Sequence, residues 1–67
     1  MNADVLKGKW TQIKGEVKSQ WGKLTDDDVE RIEGDAEKLY GRVQERYGYA
    51  KEDAKREVDA FLDRRFP

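Results

Sequence analysis

Sixty-seven residues, 43% of them charged and 36% hydrophobic, with a net charge of −1, bound this chain to one small and very polar domain. With no cysteine and no histidine, disulfide staples and the usual zinc sites are excluded. No apolar run approaches the roughly 20 residues of a membrane-spanning helix, and the opening MNADVLKGKW has no signal-peptide apolar stretch, so a cytoplasmic protein is expected.

The first element is written in Leu6, Trp10, Ile13, Val17, Trp21 and Leu24, which recur at steps of three and four. That spacing places all six on one stripe of a helix from about Asp4 to Trp21, with Lys7, Lys9, Lys14 and Lys18 outside it. Gly22 is expected to end the helix in the left-handed conformation. Thr25 follows, with Asp28 three residues on, the spacing of a capping box with aspartate in place of glutamate. Asp26 and Asp27 then fall in a first turn, where the helix dipole favours them. This second helix is short, about 26–33, with Val29 and Ile32 facing inward. A third is predicted over about 35–47 through Ala36, Leu39, Val43 and Tyr47, with Gly48 as its stop. The fourth runs over about 50–64 through Ala50, Ala54, Val58, Phe61 and Leu62. No segment reads as a strand or a linker. The expected core is Leu6, Trp10, Ile13, Val17, Trp21, Leu24, Val29, Ile32, Leu39, Val43, Tyr47, Val58, Phe61 and Leu62.

Residues 6–22 lie over residues 32–48 without a gap. Every stripe position finds an apolar partner, and Gly8, Gly15 and Gly22 pair with Gly34, Gly41 and Gly48. The expectation is an all-α fold of four short helices, built as two quasi-repeated and roughly orthogonal α-hairpins in one domain over residues 1–67. Charge is segregated as well. The first 23 residues carry five lysines against Asp4 and Glu16, whereas residues 24–37 hold seven carboxylates against Arg31 alone. The two segments should attract each other.

Chemistry has little to work with. Asp26-Asp27-Asp28 lacks the glycine at the sixth position of a calcium loop, where Arg31 stands, so the run reads as helix capping and no metal site is expected. No histidine or cysteine is present, and Ser19, the only serine, has no base in a catalytic pattern, so no catalytic residue, no cofactor and no enzyme activity are expected. Gly8, Gly15 and Gly41 fall opposite the core stripes. Inside a helix they read first as tolerated helix weakening in a polar protein, second as a face where another backbone can approach closely, and third as marginal stability that lets the chain loosen. On the second reading they make, with Lys7, Lys14 and Lys18, the candidate interaction surface. Nucleic acid is the alternative partner, through the lysines of the first helix, although both tryptophans lie on the core stripe and the acidic run would repel phosphate. An amphipathic first helix also suits a membrane surface, but its apolar face is already used in a bundle.

The motif WTQIKGEVKSQWGKLTDDD, followed by IEGDAEKLYGRVQERYGY, closely resembles the CsbD-like family of small bacterial general-stress proteins. The resemblance covers about residues 4–60 and departs over Asp59 to Pro67. It implies a bacterial, cytoplasmic, stress-induced protein with a small all-helical fold of two roughly orthogonal hairpins. It carries no established biochemical activity, cofactor or functional residue. The function expected is therefore a non-enzymatic role in the stress response, through an unidentified protein partner or by protecting other macromolecules.

Overall fold

A computed structural model describes residues 3–66; Met1, Asn2 and Pro67 lie outside them. Four helices and no strand occur among the described residues: α1 (Ala3–Gln20), α2 (Asp26–Ile32), α3 (Ala36–Tyr47) and α4 (Lys51–Arg65). Each boundary lies within one residue of its prediction. None of these helices is long and apolar enough to cross a membrane.

The core forms where the four stripes converge. α3 packs most extensively on α4, and α1 rests on both α2 and α3. Every expected core residue except Tyr47 is buried, and Ala36, Tyr40 and Ala54 join them. Trp21 is the largest fully buried side chain and meets Phe61 edge-on, with ring centroids 5.1 Å apart at 71°. Its indole N–H donates to Glu57 Oε1 at 2.9 Å, so the polar atom of the ring is satisfied. Tyr47 is half-buried instead, at the rim of the core. Ala50 is also corrected: it is exposed as the extended residue that precedes α4, and does not extend the α4 stripe.

The corners differ from one another. Gly48 ends α3 as expected, in the left-handed region with φ 71°, and its N–H donates to Gln44 O at 2.9 Å. Gly22 does not take that conformation: the positive-φ glycines are Gly34 and Gly48. The chain leaves α1 through two ordinary turns, Trp21 N–H to Val17 O at 2.9 Å and Leu24 N–H to Trp21 O at 3.0 Å. The left-handed step appears instead between α2 and α3, at Glu33 (φ 49°) and Gly34 (φ 80°). Gly34 has no room for a side chain either. A Cβ there would stand 2.8 Å from Lys7 Cα and 3.1 Å from Trp10 Cβ, so the corner presses directly on the α1 backbone. Asp35 then caps α3 by accepting from the Lys38 N–H at 3.2 Å.

The α1–α2 and α3–α4 corners meet in space. The Lys23 N–H donates to Tyr47 Oη at 3.3 Å, and the Lys23 ammonium lies 5.0 Å from the centre of the Tyr47 ring. Tyr47 in turn stacks on Tyr49 at 5.4 Å.

Candidate interaction surface

The three aspartates that open α2 do not converge on a common point. Asp26 is 99% exposed and stands 3.9 Å from Lys18, and Asp27 pairs with Arg31 on its own helix at 2.8 Å. Asp28 turns inward and is only 2% exposed. Its carboxylate accepts from the Thr25 N–H at 2.9 Å, while its own N–H donates to Thr25 Oγ1 at 3.0 Å, completing the predicted capping box. The same carboxylate takes a two-pronged grip from Arg46 of α3, at 2.8 and 3.1 Å, with Arg42 at 3.8 Å. The cap is therefore also a tie between helices, which sequence spacing did not reveal.

The Arg46 guanidinium, helped by Thr25 and opposed by burial, holds the Asp28 carboxyl down at about 2 against an ordinary 3.8. A folded-state value below the unfolded one adds stability that is present above the unfolded value and lost as pH falls through the folded one. Urea midpoints measured across the acid range should therefore decline between about pH 4 and pH 2. Asp28→Asn should flatten that decline; an unchanged slope would refute the tie. On the other side of α3, the Tyr40 hydroxyl donates to Asp59 Oδ1 at 2.6 Å. Burial, then that hydrogen bond and the Asp59 charge, push the Tyr40 phenol well above the usual tyrosine range.

The six residues expected on the outer face are not all brought together. Lys14, Gly15 and Lys18 of α1 line one shallow hollow, whose other wall is Asp26, Val29 and Glu30 of α2. Lys14 stands 3.9 Å from Glu30, and Lys18 the same distance from Asp26. The basic and acidic segments of the sequence thus lie side by side, as their charges require. Lys7 lines a separate hollow against Glu33, Gly34 and Asp35. Gly8 is exposed on α1, and Gly41 lies in a third groove with Arg31, Lys38 and Arg42. The α2 wall was not foreseen as part of the surface; the one available signal was the charge segregation.

A Cβ at Gly8, Gly15 or Gly41 would meet nothing within 4 Å. Each alanine should therefore strengthen its helix by about 1 kcal/mol, and the triple variant should gain about 3 kcal/mol in a urea titration. A loss of stability would mean that the added methyl groups meet neighbours in the folded chain after all.

The CsbD-like family model matches residues 4–56, from the first turn of α1 into α4. The UPF0337 protein PA4738 of Pseudomonas aeruginosa is 56% identical over 64 residues, covering 96% of this chain and 98% of that protein. The UPF0337 protein YjbJ of Escherichia coli is also 56% identical, over 96% of this chain and 93% of its own length. A more distant relative, the UPF0337 protein pc0632 of Protochlamydia amoebophila, is 48% identical over 96% of this chain and 97% of its own. The matched spans reach all four helices, and on them the chain belongs to the CsbD-like family.

Proposed function

We propose that this protein acts without catalysis in the bacterial stress response, in the cytoplasm, by contact with other proteins through its α1–α2 flank. One observation carries the non-catalytic part. Asp28, Tyr40, Arg46 and Tyr49 are the described groups whose proton affinity is clearly shifted. Asp28 and Arg46 hold each other, Tyr40 holds Asp59, and Tyr49 stacks on Tyr47. Structural ion pairs and hydrogen bonds perturb proton affinity as active sites do, and the partners of these groups lie within the fold, Asp28 and Tyr40 each joining two helices. The flank with Lys14, Gly15 and Lys18 supplies the contact surface, a mixed-charge strip with a small uncharged floor. The same reading takes the helices as two quasi-repeated hairpins set across each other within one domain. It draws on the repeated glycine spacing and on the meeting of the two corners.

In-cell crosslinking under osmotic or starvation stress tests the contact role. Reproducible partners should appear and weaken when Lys14 and Lys18 are changed to glutamine; the absence of any recurring partner would sink the proposal. The nucleic-acid reading is the weaker one, because the carboxylates of Asp26 and Glu30 beside Lys18 and Lys14 would repel phosphate. A fluorescent single-stranded oligonucleotide at low salt should show flat anisotropy on titration with the protein, since phosphate neutralisation dominates such binding.

A further inference from the structure

We infer that the α1–α2 flank docks against the same flank of a second copy of this chain. The inference rests on the contact role proposed above and names its partner. The flank is self-complementary in charge: one wall carries Lys14 and Lys18, the other Glu30 and Asp26. Along the hollow, Lys14 stands level with Glu30 and Lys18 level with Asp26, both at 3.9 Å. A two-fold axis running along the hollow therefore lays the basic wall of each copy over the acidic wall of the other. Lys14 meets Glu30 of the partner subunit at its own level, Lys18 meets Asp26 of the partner subunit, and both contacts occur twice. A symmetric interface requires this reciprocity.

Three further observations favour the arrangement. The pairs within one chain are long and exposed, with Asp26 at 99% and Glu30 at 74%, so these side chains are free to turn outward. The floor is Gly15, with nothing within 4 Å of a Cβ, beside Val29, so two copies can approach closely there. A net charge of −1 leaves almost no overall repulsion between copies. The interface is small and polar, and its association is weak and salt-sensitive.

The test is a pair of charge reversals examined by sedimentation velocity at low salt. Lys14→Glu/Lys18→Glu makes both walls acidic, and Asp26→Lys/Glu30→Lys makes both walls basic. Wild type should dimerise with rising concentration and dissociate as salt is raised. Each reversed variant alone should associate about tenfold or more weakly, and an equimolar mixture of the two should recover the dimer. Gly15→Gln provides a check that does not disturb the fold, because its helix position has open space. It should keep its helical circular-dichroism spectrum and lose the dimer. Wild type that stays monomeric to about 1 mM at low salt would overturn the inference, as would a Gly15→Gln variant that dimerises undiminished. Recurrent crosslinks to other proteins from a strictly monomeric chain would remove this inference and leave the contact role standing.

Discussion

Gly34→Ala is expected to lower the melting temperature by about 15 °C, the largest effect of any single methyl group in this protein. Two costs act together. The residue sits at φ 80°, where an L side chain is disfavoured by about 1–2 kcal/mol. The added Cβ would also stand 2.8 Å from Lys7 Cα, a backbone atom that cannot rotate away. The corner and α1 must then separate, an overpacking cost of about 1–3 kcal/mol. The sum, about 3 kcal/mol, is a large share of the roughly 3–10 kcal/mol expected for a chain of this size. Gly8→Ala is the matching control, with the opposite sign expected. Equal melting temperatures for Gly34→Ala and wild type would show that the corner does not press on α1.

Asp28→Ala should be nearly as damaging, at about 3 kcal/mol in a urea titration. The variant keeps the bond from its own N–H to Thr25 but leaves the Thr25 N–H without its carboxylate, and it removes the acceptor of both Arg46 bonds. Hydrogen bonds to a charged group contribute about 1.5–3 kcal/mol, and the lost half of a capping box about 1 kcal/mol. Arg46 is 38% exposed and regains water, which keeps the loss below that of a fully buried pair. Asp28→Asn should fall between, since its amide oxygen still accepts one bond. If asparagine costs nothing relative to wild type, the charge contributes nothing and the ionic tie to α3 is incidental.

Helices were legible because their signals are local. The stripe from Leu6 to Leu24, the Thr25–Asp28 box and the Gly48 stop depend on residues a turn or two apart. What escaped depends on residues far apart in the chain. Asp28 and Arg46 are 18 positions apart, and nothing in the acidic run announces that its third member turns inward. The register that pairs Gly34 with Gly8 supplied no role for Gly34, because its need for glycine comes from the α1 backbone across the corner. Tyr40 aligns with Lys14 in the repeat, and its burial depends on Asp59 receiving its hydroxyl. Gly22 shows the reverse error: a helix stop was assigned to the residue type, yet hydrogen-bonded turns around Trp21 end α1 without a left-handed residue. For the candidate surface, the lysines and Gly15 were legible on α1, but the α2 wall that makes a groove of them was visible only as a charge imbalance.

α3 shows what the two polar ties accomplish together. Its buried face is mostly small and aliphatic, with Ala36, Leu39 and Val43, and such a face can repack after the helix rolls about its long axis with little change in buried area. Arg46 and Tyr40 lie on either side of that face, at about 100° per residue, and each is held by a carboxylate on a different neighbour, Asp28 of α2 and Asp59 of α4. Rolling in one direction breaks the first tie, and rolling in the other breaks the second. The core thus drives α3 inward, while the two carboxylates set its rotational register. On an α3 face whose aliphatic residues interlock so little, that register is what separates one native arrangement from a family of equally greasy ones.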